Sequence, residues 1–180
     1  MKRLFLCVLL LALLSGCADS VSFKEKFDAL QRTEANFHSS GLTPTEIPKI
    51  VALQSELNKV KVSLSKQPRS SENSALTSLI DAKFDLLEMR LSFEKGKLEM
   101  AKAKFSEADC RAGGALVNAA DFLGKAVASS SSAKSRLQSF FKNYPAEAKQ
   151  TGMVLGDVSL TIDLIAENAS TLRDGVLGLC

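Results

Sequence analysis

The chain holds 180 residues, with 23 Lys and Arg against 20 Asp and Glu, 46% hydrophobic residues, ten glycines and four prolines. That length suits one domain of ordinary size, and the near balance of charge, without a clustered basic face, argues against a nucleic-acid partner. The densest basic stretch, Lys59, Lys61, Lys66 and Arg69, reads as a solvated helix end and loop, with attraction to anionic lipid headgroups as the milder alternative.

The first twenty residues read as an export signal. Met1-Lys2-Arg3 is a short positive start, Leu4 to Leu14 is an unbroken apolar run, and Ser15-Gly16 supplies small residues before Cys17. Those are the physical parts of a secretory signal. The run is too short for a comfortable membrane span, which takes about 20 residues to cross a core about 30 Å thick. Leu14-Ser15-Gly16-Cys17 resembles the lipobox of prokaryotic lipoproteins. The resemblance covers the N-terminus only. It implies cleavage between Gly16 and Cys17, a diacylglyceryl group on the Cys17 sulfur, and a second acylation of the freed amine. Two or three chains hold a protein stably on a membrane, where one holds it only marginally. Ala18, which is not the Asp that retains enteric lipoproteins at the inner membrane, would permit outer-membrane sorting. The expected organisation is a signal over 1–16, a lipidated tether over 17–20, and a folded domain over 21–180. Removing the signal takes Lys2 and Arg3 away and leaves a net charge of +1.

Past the tether, apolar residues recur at alternating steps of three and four, which predicts helices throughout. The first stripe is Phe23, Phe27, Leu30 and Phe37, with Glu34 in the remaining slot. Ser39-Ser40-Gly41 ends it. The second is Ile50, Leu53, Leu57, Val60 and Leu64, with Thr45 as the expected cap and Pro48 in the first turn, where a missing N–H costs nothing. Gln67-Pro68-Arg69-Ser70 follows, and Ser70 or Ser71 can cap the third helix. Its stripe is Ile80, Phe84, Leu87, Leu91, Glu94, Leu98, Ala101 and Phe105, and a helix over 71–109 would be roughly 55 to 60 Å long. Gly113-Gly114 marks the next turn. The fourth stripe runs from Ala112 through Leu116, Ala119, Leu123, Ala126, Ser130, Ala133, Leu137 and Phe140 to Tyr144. It keeps phase through Ser129 to Ser132, so that serine run is helix and not linker. Asn143-Tyr144-Pro145 separates it from a fifth stripe, Leu155, Val158, Ile162, Ile165, Ala169, Leu172 and Val176. Apolar residues off the stripes (Met89, Phe93, Phe122, Phe141, Val154, Leu164) suggest broader packed faces. The expected fold is all-α, an antiparallel up-down bundle of about five helices with the last three long. A tetratricopeptide-like array of helical hairpins is the alternative, though no 34-residue self-similarity supports it.

Cys7 leaves with the signal and Cys17 takes lipid, so Cys110 and Cys180 remain in an oxidising compartment. Up-down topology returns the C-terminus to the turn that holds Cys110. A disulfide between Cys110 and Cys180 is therefore expected, with free thiols or an intermolecular bridge through Cys180 as alternatives.

Little else suggests chemistry. His38, the sole histidine, shares a helix face with Glu34 but lacks the further ligands of a metal site. The pairs Asp81 with Asp85 and Asp163 with Glu167 lie one turn apart, the spacing of acid–base carboxylates. They sit off the apolar stripes and read as solvated surface. Phe140, Phe141 and Tyr144 read as core. Asn168-Ala169-Ser170 matches a glycosylation sequon in the middle of a helix. Cys110 lacks the context of covalent haem, and no serine has a nucleophile elbow. The leading expectation is therefore a non-enzymatic, membrane-tethered helical module, without cofactor or metal, that binds or spaces another envelope protein. A carrier of an apolar molecule or lipid is the alternative. A pocket lined by Ala112, Ala119, Ala126, Ser130 and Ala133 would favour the carrier, and a filled seam the interaction module.

Overall fold

A computed structural model of the chain describes residues 22–37 and 43–180. Gly16 and Cys17, the expected cleavage and lipidation positions, lie outside the described residues, as do Cys7 and His38.

Among the described residues, six α-helices and one short 3-10 turn account for the architecture, and no strand occurs. Helix α1 is Phe23–Ala35, α2 Ile47–Ser65, α3 Ser71–Lys102, α4 Ala115–Asn143, α5 Pro145–Thr151 and α6 Leu155–Leu177, with the 3-10 turn at Glu107–Cys110 between α3 and α4. Local chemistry sets the boundaries. Ser22 and Glu25 form a capping box at α1: Ser22 Oγ accepts from the Glu25 N–H at 3.3 Å, and the Glu25 carboxylate accepts from the Ser22 N–H at 3.0 Å. Ser70 Oγ accepts from the Asn73 N–H at 3.1 Å and starts α3. Pro48 falls in the first turn of α2 and Pro145 opens α5. Helix α2 starts after Glu46, which makes no side-chain cap, so Thr45 stands one residue too early to cap it.

Two long elements differ from the periodicity. Helix α3 stops at Lys102, about 48 Å from its start at 1.5 Å per residue. The Asp109 carboxylate captures the next backbone N–H groups, those of Lys104 at 3.1 Å and Ser106 at 2.9 Å. Satisfying those donors locally makes the helical continuation dispensable. Phe105 consequently takes a left-handed conformation with φ 57° and is exposed. Ala112 likewise falls in the loop ahead of α4 and is exposed. The expected fifth helix is two helices, because Gly152 ends α5 in the left-handed region at φ 68°.

Side-chain pairs fix direction. Lys26 meets Asn73 at 2.7 Å and Glu34 meets Lys83 at 2.8 Å, so α1 runs parallel to α3. Lys61 meets Asp81 at 2.5 Å and Gln54 meets Glu88 at 3.5 Å, so α2 runs against it. Arg136 meets Asp85 at 2.7 Å and Leu123 lies beside Gly96, which sets α4 antiparallel to α3, and Lys134 meets Asp163 at 2.7 Å while Arg173 lies beside Gly124, which sets α6 antiparallel to α4. The chain thus runs up and down, with α5 a short corner. We call the end where α1 starts basal and the opposite end distal.

Helix α3 is apolar on two faces. Ile80, Leu87 and Leu91 pack with Phe23, Phe27 and Leu30 of α1 and with Ile50, Leu53 and Leu57 of α2. Ala82, Leu86, Met89 and Phe93 face α4 and α6, meeting Ala133, Leu137, Val158 and Ile162, then Leu123, Ala126 and Ala169. Helices α1 and α2 are short and cover α3 only over its basal part. On α4, Ala119, Ala126 and Ala133 are fully buried, and α4 runs unbroken through Ser130, whose hydroxyl donates to the Val127 carbonyl at 2.6 Å. At Gly96 an added Cβ would lie 2.7 Å from Leu123 Cγ. Small residues here bring the helices close, and the seam is filled.

At the distal end Cys110 and Cys180 form a disulfide, with sulfurs 2.07 Å apart and Cα atoms 5.4 Å apart. Gly114 is essential to the adjoining turn: a Cβ there would lie 2.4 Å from the carbonyl oxygens of Ala108 and Asp109.

Candidate functional site

Beyond the reach of α1 and α2, the distal halves of α3 and α6 leave an open apolar groove between them. Phe93, Lys97 and Met100 of α3 and Asn168, Thr171 and Leu172 of α6 line it, around a volume of about 520 Å³. Phe93 forms part of the core beneath, with Leu123, Ala126 and Ala169. Arg90 and Lys97 stand 5.7 and 5.4 Å from its ring centroid, and both pair with Glu94, at 2.9 and 2.8 Å. Positive charge over an aromatic face is attractive, so these contacts hold the α3 wall in place. Leu98 on α3 is exposed in the same half, and Phe105, Leu177 and Leu179 are exposed at the distal end. Phe105 is 70% exposed while held in a left-handed backbone. Of the residues off the stripes, Met89 and Phe93 do widen the packed face of α3, but Val154 and Leu164 are exposed. Sequence analysis missed this groove because each helix shows a complete stripe. The gap comes from helix lengths that leave one face uncovered.

The pair Asp81 and Asp85 is not the solvated surface expected from the sequence. Both are half-buried on the side of α3 that faces α2 and α4. Asp81 pairs with Lys61 at 2.5 Å and lies 3.7 Å from Arg136, which meets Asp85 at 2.7 Å. Burial pushes the Asp85 carboxyl above its ordinary range, and Arg136 opposes that while Asp81 adds to it. An open cleft of about 540 Å³ lies beside this cluster, and Arg69, Thr77, Ser78, Asp81, Arg136 and Ser139 are among its lining residues. The opposite charges neutralise one another, so the cluster joins three helices without leaving a free acid or base. Asp163 is exposed and paired with Lys134, and Glu167 is exposed, as expected.

Glu34 is engaged by Lys83, with side chains 11% and 16% exposed. A space of about 20 Å³ adjoins the pair, enough for about one water. Phe140 is buried at the centre of an aromatic group with Phe23, Phe141 and Tyr144, so that set is core. Asn168-Ala169-Ser170 lies inside α6, with Ala169 fully buried. Among the described residues no cluster of His, Cys, Asp or Glu is placed to hold a metal ion. No described helix is long and apolar enough to cross a membrane. No protein family, curated protein or solved structure matches the chain.

Proposed function

We propose that the protein is a lipid-anchored lipoprotein of the cell envelope, held at Cys17, that presents a helical docking face to another envelope protein and catalyses no reaction. The observation that carries this reading is the placement of the apolar groove of Phe93, Met100 and Leu172 in the half of the bundle away from the tether. The lipobox of Leu14-Ser15-Gly16-Cys17 supplies the anchor. An exposed apolar groove on a domain with a filled core is the kind of surface that protein partners cover. Phe105 adds an exposed aromatic anchor, and aromatic side chains concentrate binding energy at interfaces. The filled alanine seam favours this reading over a carrier with its ligand between the helices.

Two measurements test the proposal. Cys17→Ser should abolish lipid labelling and block maturation; normal processing with membrane retention and no lipid would end the anchor reading. A photoreactive residue at Asn168 or Leu98 should crosslink one defined protein in native membranes, and the same probe at Arg32, on α1, should not. Equal capture from both sites would refute the groove as the docking face.

A further inference from the structure

The two ends of the bundle differ in charge as well as in shape. The basal end comprises residues 22–28, the turn and first residues of α3 over 66–76, and the corner over 142–151. The ring centroids of Phe23 and Phe140 are 6.5 Å apart, and Ser71 Oγ donates to the Glu147 carboxylate at 3.3 Å, so these three segments are neighbours. They carry six cations (Lys24, Lys26, Lys66, Arg69, Lys142 and Lys149) against four carboxylates (Glu25, Asp28, Glu72 and Glu147). The distal segments 103–114 and 170–180 hold three of each sign and no net charge.

Among the described residues, Lys66, Arg69, Lys142 and Lys149 are all exposed and engage no carboxylate; elsewhere Lys61, Lys83, Arg90 and Lys134 are paired, and the cations without a carboxylate partner, Arg32, Lys95, Lys104 and Lys125, are spread over the rest of the bundle and not gathered at one end. The basal carboxylates are engaged close to the protein. Glu25 closes the capping box, Asp28 pairs with Lys24 at 2.5 Å, and Glu147 accepts from Ser71. The Glu72 carboxyl is held below its ordinary range by a backbone hydrogen bond and by Ser70.

Chain length supplies an independent argument. Cys17 precedes Ser22 by five residues. Even fully extended, they span no more than roughly 18 Å at 3.3–3.6 Å each. A lipid on Cys17 therefore keeps the basal end within reach of the headgroups however the bundle tilts.

We infer that the basal end binds anionic phospholipid headgroups of the membrane that holds the anchor, through Lys66, Arg69, Lys142 and Lys149, and so stands the bundle upright with its groove outward. The inference rests on the lipid-anchored reading and adds orientation to it. Free in solution, so few charges would bind a membrane weakly. A tether replaces that encounter with a high local concentration, so a small bias suffices.

The chain contains no tryptophan, so one tryptophan can be placed at the basal end by Gln150→Trp or at the distal end by Leu179→Trp. Lipidated mature protein is reconstituted in vesicles of phosphatidylcholine, or of phosphatidylcholine with one-quarter phosphatidylglycerol, each doped with a dansyl-headgroup lipid. Energy transfer should be strong from the basal probe and weak from the distal one on anionic vesicles. The difference should shrink on neutral vesicles and in salt near 1 M, where the Debye length is about 3 Å. The combined variant Lys66→Gln, Arg69→Gln, Lys142→Gln and Lys149→Gln should lower the upright population by up to roughly fivefold per charge lost, the equivalent of about 1 kcal/mol each. All four positions are exposed, and an unchanged circular dichroism melt verifies the fold. Mass spectrometry of the same sample reads the lipid on Cys17. Lipid present with transfer indifferent to vesicle charge and to the variant overturns the orientation alone. An unlipidated Cys17 overturns the anchor reading and the orientation with it.

Discussion

Two glycines in helix interiors offer a controlled test of the α3–α4 seam. Gly96 lies in α3 and Gly124 in α4. Replacing an interior helical glycine by alanine gains about 0.8–1 kcal/mol of helix propensity wherever the methyl group fits. At Gly124 it fits, since the nearest heavy atom would be Arg173 Cδ at 3.8 Å. At Gly96 it meets Leu123 Cγ at 2.7 Å and Cδ2 at 2.9 Å, with the Ala119 carbonyl oxygen at 3.4 Å. Leu123 is fully buried and has little room to withdraw. Overpacking of this kind costs about 1–3 kcal/mol. Gly124→Ala should therefore stabilise by up to about 1 kcal/mol, while Gly96→Ala should be neutral to about 2 kcal/mol destabilising, a gap of about 1–3 kcal/mol between chemically identical changes. Urea denaturation reads this as a difference in midpoint at constant slope. A cycle with Leu123→Ala refines the test. That change alone should cost about 2–5 kcal/mol, and less in the Gly96→Ala background, where the new methyl occupies part of the cavity. Equal stabilisation by both glycine substitutions would show that α3 and α4 are farther apart than described.

Three further outcomes follow from the ion pairs and the bridge. Replacing Cys110 and Cys180 by serine should lower stability by up to about 4 kcal/mol, the chain-entropy value for a loop closed over a separation of 70 residues; non-reducing peptide mapping that finds two free thiols would contradict the bridge. Lys83→Met should destabilise by about 3 kcal/mol because it leaves Glu34 buried and unpaired, and Glu34→Leu added to it should recover most of the loss; a double variant as unstable as the single one would remove the pair from that role. For Asp85, whose folded carboxyl is raised above the ordinary 3.8 by burial, the neutral form is favoured by folding. Its contribution is complete below the unfolded value and is lost as pH rises through the folded one. The stability of wild type relative to Asp85→Asn should thus increase on acidification through that window, and Arg136→Gln should raise the Asp85 titration further, read by carboxyl-carbon NMR.

Much of the bundle is legible because each stripe keeps one phase. The capping residue Ser70, the proline starts at Pro48 and Pro145, and the register through Ser129–Ser132 all encode local geometry directly. The meeting of Cys110 with Cys180 follows from up-down topology alone. Where reading by period fails, a local hydrogen bond overrides it. Ser106 and Asp109, spaced as a capping pair, carry the signal that α3 has ended, although Phe105 continues its stripe. Gly152 carries the break between α5 and α6, and Gly–Met–Val offers no run of polar turn residues to announce it. Asp81 and Asp85 looked solvated because they lie off the stripe that packs on α1 and α2, yet α3 has a second buried face. The groove was illegible for a different reason. It depends on where short helices stop covering long ones, a relation between elements that no single stripe contains.

The parallel run of α1 along α3 has a mechanical consequence. Under the proposed anchorage, tension between the membrane and a partner on the groove enters the fold at Ser22 and acts along the axis of α1. Sliding α1 toward the bilayer must displace Phe23, Phe27, Leu30 and the Glu34–Lys83 pair together, because all of them lie along the direction of pull. The contacts share the force instead of yielding one after another, as they would in a helix peeled from its end. The first helix thus acts as a shear joint between the anchor and the α3–α4–α6 body, whose far end is closed by the disulfide.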